Sequence, residues 1–182
     1  MYGMVNKAVR EMVLSKFSEA TWDEVRSRAG APHTFVAFEQ YDDAVTYALV
    51  AAASEVLEMD PTTVLRSFGQ YWVTHVATKS YGDLMDRTGK SFLSFMKNLD
   101  QMHSRVAGTF PGYQPPSFRV KETGEDTIEL DYYSQREGLL PFVEGLLTSL
   151  ATHFSTEIEI RHVPDDEHPM PSKRMVVTYR SI

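Results

Sequence analysis

Apolar residues recur at helical spacing through most of the first two thirds of the chain. Val5, Val9, Met12, Val13 and Phe17 predict a helix over residues 2–17, and a second, short helix is expected from near Thr21. Asp42 and Asp43 offer an N-cap for a run through Val45, Leu49, Val50, Ala53 and Leu57. Asp60-Pro61-Thr62-Thr63 is a stronger start signal, because Asp accepts from free amides while a first-turn Pro needs no donor. A helix from there should reach about Val76. A loop is expected around Tyr81-Gly82 and Gly89. Beyond it Phe92, Phe95, Met96, Leu99, Met102 and Val106 predict a long helix over 91–107, ended by Gly108 and the prolines that follow.

The pattern changes at Phe110-Pro111-Gly112-Tyr113-Gln114-Pro115-Pro116, which cannot be regular structure and forms a natural boundary between subdomains. Residues 117–120 and 127–133 then read as the strands of a hairpin around a polar turn at 121–126. A helix over 138–154 follows, then two strands near 157–162 and 175–179 joined by a proline-rich acidic loop. The expected class is α+β. A length of 182 residues suits one domain with a substantial core.

Composition narrows what such a domain can do. Hydrophobic residues make up 42% of the chain, which sets wholesale disorder aside. Against 25 acidic side chains stand only 18 Lys and Arg, a net charge of -7 that works against tracking a nucleic-acid backbone. With no cysteine there is no disulfide framework, thiolate nucleophile or cysteine-held zinc or iron-sulfur site, so any metal must be held by His, carboxylate or a cofactor. No leader pattern opens the chain and no run approaches the roughly 18 apolar residues of a membrane span, so a cytoplasmic protein is expected. Nucleotide-binding, nucleophile-elbow and zinc-protease motifs are absent.

Three features carry candidate chemistry. His103 lies on the apolar stripe of the 91–107 helix, where an imidazole must either hydrogen-bond both nitrogens or give a lone pair to a metal. Taken alone, a core histidine bonded to a carbonyl is the commoner case. No second His, Asp or Glu follows it at the i+3 or i+4 position on the same face, so a protein-only zinc cage is poorly supported, whereas a haem needs one axial His. In the strand Ile128-Glu129-Leu130-Asp131-Tyr132-Tyr133-Ser134-Gln135-Arg136, alternation would carry Tyr132, Ser134 and Arg136 inward behind Ile128 and Leu130. Such a donor row suits two carboxylates, with Arg136 forming a charge-assisted fork; alternatively Arg136 pairs with a protein acid, Asp42 for example. Pro115-Pro116, a rigid pair without donors, lies between these two features.

Together these residues resemble the H-NOX (haem nitric oxide/oxygen binding) family, which includes the haem sensor domain of soluble guanylate cyclase and bacterial stand-alone homologues. The likeness rests on Met1-x-Gly3, Phe68-Gly69-Gln70-Tyr71-Trp72, His103, Pro116 and a YxSxR motif at Tyr132, Ser134 and Arg136, and covers nearly the whole chain. It implies a single domain over 1–182. Within it a helical subdomain of about 1–60 packs on an α/β subdomain of about 61–182 with an antiparallel sheet, and haem b (iron protoporphyrin IX) is buried between them. It implies that His103 is the proximal iron ligand, that Tyr132, Ser134 and Arg136 hold the propionates, and that Pro116 packs against the macrocycle and distorts it.

The resemblance also bears on the gas. Members that hold oxygen stably use a tyrosine on the helix after YxSxR, and the matching position here is Phe142 or its neighbour Pro141, neither of which donates. The other expected pocket residues are Val5, Val9, Trp72, Val76 and Leu146, and only the Trp72 indole carries a donor. Nitric oxide and carbon monoxide are therefore the expected ligands, an oxygen-binding sensor being the alternative. Nitric oxide would weaken or break the iron bond to His103 and free its helix. The chain leaves no room for an output domain, so the signal is expected to pass to a separate effector such as a histidine kinase or a cyclic-di-GMP enzyme. Two rivals differ in class. A hydrolase triad built on Ser134 lacks flanking glycines, and a helical module holding another small molecule or lipid would lack haem absorbance. Without cysteines, His162 and His168 are expected at the surface rather than in a zinc site.

Overall fold

The computed structural model describes residues 1–164, 167 and 172–182, so His168 lies outside the described residues. The chain opens with α1 (Gly3–Lys16), α2 (Glu19–Arg28) and α3 (Asp43–Val56). The Ser18 hydroxyl accepts from the Thr21 amide at 3.1 Å, which starts α2 just ahead of Thr21. Asp42 caps α3 by accepting from the Ala44 amide at 2.9 Å, so the neighbouring Asp43 carboxylate is free for other partners.

Asp60 and Pro61 start α4 (Pro61–Tyr71) as expected, but regular α geometry stops short of Val76. Trp72–Ala77 is a π-helical segment, a widened turn often found at functional sites. The chain continues as α5 (Thr78–Thr88), and the loop expected at Tyr81-Gly82 is instead helical, with a kink at Tyr81 (φ -134°, ψ 24°). Tertiary packing overrides the glycine there: Met85 and Thr88 are buried, and the Asn98 amide donates to the Thr88 carbonyl at 2.8 Å.

A reciprocal Ser91–Ser94 cap begins α6 (Phe92–Thr109). Gly108 does not end this helix. The stop comes at Phe110, extended at φ -112°, ψ 102°, because the ring of the following Pro111 bars the α conformation from the residue before it. The hairpin is longer than expected: β1 (Ser117–Gly124) runs well past Val120 to pair with β2 (Thr127–Tyr133), Lys121 opposite Glu129 and Glu122 opposite Ile128. Gly138 turns the chain at φ 74°, and α7 (Leu140–His153) starts two residues later than its sequence suggested, with Pro141 in its first turn. With β3 (Thr156–His162) and β4 (Lys173–Ser181) the strands form an antiparallel sheet in the order β1-β2-β4-β3. The class is α+β, helices preceding and covering an antiparallel sheet. Among the described residues, no helix is long and apolar enough to cross a membrane.

Two apolar clusters fill this framework. One face of the sheet contributes Phe118, Ile128, Leu130, Tyr132, Met175 and Val177, which pack with Phe92, Phe95 and Met96 of α6 and Val143, Leu147 and Leu150 of α7. The other cluster joins α1, α2, α3 and α4 through Val9, Val13, Trp22, Val25, Leu49, Ala53, Val64 and Phe68. A buried polar pair, Thr46 donating to Asn6 at 2.6 Å, ties α3 to α1 inside it. Between the clusters α4 crosses α7 with their backbones in contact. A Cβ on Gly145 would stand 2.1 Å from the Arg66 carbonyl oxygen, and one on Gly69 2.2 Å from that of Phe142, so both positions require glycine.

Candidate functional site

The buried stripe of α6 runs from Phe92 to Leu99 and then gives out; Met102, His103 and Val106 are half-buried. His103 thus stands where the helix leaves the core. Its Nδ1 lies 3.3 Å from the Pro116 carbonyl oxygen, which fixes Nδ1 as the donor. Nε2 has no hydrogen-bond partner among the described residues and keeps its lone pair. The ring sits 5.9 Å from that of Phe118. Burial pushes the imidazole below its ordinary pKa, against the opposing pull of the Pro116 carbonyl and the Asp100 charge, so the neutral form is favoured.

Asp100, one turn before His103, is a member of this site that sequence reasoning missed. One of its carboxylate oxygens accepts from the Ser117 hydroxyl at 2.8 Å and the other from the Phe118 amide at 2.5 Å. These bonds seat the start of β1 on α6 and so present the Pro116 carbonyl to His103. The available signal was its position three residues before His103, on the same helical face.

Tyr132 lies on β2 opposite Phe118, their rings 5.3 Å apart, and is buried. Burial raises its phenol, while Ser134 and Arg136 pull the other way. Ser134 and Arg136 do not continue the strand, contrary to the alternation argument, because β2 ends at Tyr133. A turn gathers them instead: the Ser134 hydroxyl accepts from the Arg136 amide at 3.0 Å. The Arg136 side chain donates from Nε to Asp43 at 2.7 Å and from Nη1 to the Gln114 carbonyl at 3.0 Å. The protein acid facing Arg136 is therefore Asp43, not Asp42. Asp43 also holds the N-terminal amine. Its burial raises the carboxyl, but hydrogen bonds from the amine and Arg136 outweigh that and hold it below its ordinary value.

The structure thus brings His103, Pro116, Tyr132, Ser134 and Arg136 into one chain of contacts. Val5, Val9, Trp72, Val76 and Phe142 gather elsewhere, in or against the cluster of α1–α4, where Phe68 meets Trp72 at 6.2 Å and Phe142 at 5.1 Å between ring centroids. Leu146, one turn along α7 from Phe142, packs on the sheet-side cluster. His162 is exposed, as expected.

The donor set fits a haem. A neutral imidazole whose Nδ1–H is held by a carbonyl presents Nε2 to a metal in the manner of protein histidine ligands. A guanidinium has five N–H donors, and two of those of Arg136 are engaged by Asp43 and Gln114, which leaves capacity for a carboxylate beside the Tyr132 and Ser134 hydroxyls.

A family model described as haem-NO-binding matches residues 2–162 of this chain. Soluble guanylate cyclase gcy-31 of Caenorhabditis elegans is 25% identical over 179 residues, covering 97% of this chain and 25% of its own length. Soluble guanylate cyclase gcy-33 of the same organism is 30% identical over 155 residues, covering 85% and 16%. The chain spans about a quarter or less of the length of these curated relatives. Among solved structures, an H-NOX protein from S. oneidensis in the Fe(II)NO state superposes with a TM-score of 0.87 at 22% identity, over 100% of both chains. An oxygen-binding H-NOX domain related to soluble guanylate cyclases, in its oxygen complex, does so with a TM-score of 0.82 at 18% identity, over 100% of this chain and 96% of its own. At these identities the structural likeness speaks for the fold.

Proposed function

Because this chain belongs to the haem-NO-binding family, we propose that it is a haem-based gas-sensing domain with His103 as the axial ligand to iron. The observation that carries the reading is the state of that imidazole: neutral by burial, Nδ1 committed to the Pro116 carbonyl, Nε2 left as a lone-pair donor. When bound, haem b would supply a ferrous iron able to take up a diatomic gas.

In this reading Tyr132, Ser134 and Arg136 hold the propionates, and Pro116 packs against the macrocycle. Val5, Trp72, Phe142 and Leu146, with Val9 and Val76, wall the gas side. Oxygen is held stably where a donor meets its partial negative charge, whereas nitric oxide binds tightly without one. Neither Phe142 nor Pro141 donates, so the domain is a sensor of nitric oxide, and of carbon monoxide, rather than of oxygen. Asp100 and His103 join α6 to the segment at 116–118. A change in what His103 holds is therefore felt first where helix and sheet meet, a local event that biases a larger element. The role is sensing rather than catalysis, in the cytoplasm, with the signal read by a separate effector such as a histidine kinase or a cyclic-di-GMP enzyme.

Replacing the ligand tests the assignment. His103→Gly should abolish the coordinated haem spectrum, and added imidazole should restore it in part. A variant whose spectrum equals the wild type would refute His103 as the ligand.

A further inference from the structure

An open cleft of about 440 Å³ lies between α4, α7 and β3, lined by Arg66, Glu144, Thr148, Ile158, Ile160 and His162. Both carboxylate oxygens of Glu144 are occupied there. Oε2 accepts from Nε and Nη2 of Arg66 at 3.0 and 2.5 Å, and Oε1 meets Nε2 of His162 at 2.7 Å. The Glu144 side chain is 14% exposed and its partners 43% and 44%, so two longer, solvent-facing side chains close over one drawn-in carboxylate.

An ion pair with exposed members is ordinarily worth little. What sets this one apart is its place. The Arg66 carbonyl is the atom against which Gly145 packs, and Glu144 is the residue next to Gly145. Three residues further along α4 Gly69 meets Phe142, and the Ser149 hydroxyl donates to the Gln70 carbonyl at 3.4 Å. The cluster therefore ties α4, α7 and the end of β3 at the point of closest backbone approach. On either side of that point stand Phe68 and Trp72 from α4 and its π-helical extension, and Phe142 and Leu146 from α7.

We infer that Glu144, gripped by Arg66 and His162, is a positioning residue that fixes how closely α4 and α7 cross, and through that crossing the spacing of the wall formed by Phe68, Trp72 and Phe142. That this wall faces the gas rests on the haem reading above. Glu144 touches neither gas nor cofactor and acts only through the helices it joins.

The test has two arms. In the haem-loaded protein, Glu144→Ala and Arg66→Ala should each change the carbon monoxide association rate by about two- to five-fold, the size expected for loss of one such pair. The double variant should go no further than either single one, and Arg66→Lys, which keeps the charge, should return most of the wild-type rate. In the cofactor-free protein, Glu144→Ala should speed hydrogen exchange across 68–77 while leaving the β1–β2 hairpin unchanged. Unaltered exchange and unaltered rates would overturn the inference. So would faster exchange with unaltered rates, which would reduce the cluster to a stabilising contact. A wild-type protein that takes up no haem would overturn the reading beneath it, and the exchange arm would still decide whether Glu144 sets the crossing.

Discussion

Around His103 the elements meet through polar atoms, whereas on the far side α4 and α7 meet through rings and bare backbone, with the polar Arg66–Glu144–His162 cluster at their outer edge. On the first side Asp100 grips the start of β1, Pro116 engages Nδ1, and Arg136 reaches Asp43 and Gln114. On the second, Phe68 packs between Trp72 and Phe142, and Gly69 and Gly145 let two helices touch. Hydrogen bonds fix direction and protonation state; close packing fixes volume. A haem site of the kind proposed, with one ligand histidine and one gas-selective face, would need both, and the fold keeps them apart.

The packing side breaks most readily. Gly145→Ala puts a methyl carbon 2.1 Å from a carbonyl oxygen that cannot move without its helix. It should destabilise the protein by about 1–3 kcal/mol or more, read as a lower denaturant midpoint. Loss of direction comes next. Asp100→Ala removes two acceptor bonds at the start of β1 and should cost about 1–3 kcal/mol, with a changed haem spectrum because the Pro116 carbonyl is no longer held at Nδ1. A stability loss without a spectral change would confine Asp100 to the scaffold.

Giving the apolar side a donor should change how long oxygen is held. Phe142→Tyr should slow oxygen loss from the ferrous protein by about tenfold, one hydrogen bond's worth, and leave nitric oxide binding little changed. The smallest effect is expected at Asp43. Its carboxyl is held below the ordinary value, so its contribution is present above about pH 4 and is lost as the pH falls through and below that point. The stability gap between wild type and Asp43→Asn should stay under about 1 kcal/mol near neutrality, since the carboxylate is partly exposed, and should close in acid.

Much of this division was legible in the sequence, for local reasons. Caps at Asp42 and Asp60 and the alternation through Ile128, Leu130 and Tyr132 are short-range signals, and the elements they announce are present. The misreadings fell where a neighbour in space decides. Tyr81-Gly82 looks like a loop until α5 packs on α6, and Lys121-Glu122-Thr123 looks like a turn until the hairpin ladder carries it on. Of the two stops read for α6, Gly108 does not act, and the prolines beyond it do, through the residue before Pro111. The site divided in the same way. His103, Pro116 and Tyr132 carry a recognisable pattern, whereas Asp43 reaches Arg136 across 93 positions and Asp100 matters only through where β1 returns. A π-helical segment leaves no compositional mark, and a contact between two glycines leaves still less.

The central claim, one histidine holding a haem whose other face favours nitric oxide, is tested most directly by the electronic spectrum of the reduced protein with and without nitric oxide. The reduced protein should show a strong haem band that shifts on adding nitric oxide, and no oxygen complex that persists in air. A colourless protein that takes up no haem would contradict the cofactor, and a lasting oxygen complex would contradict the gas preference.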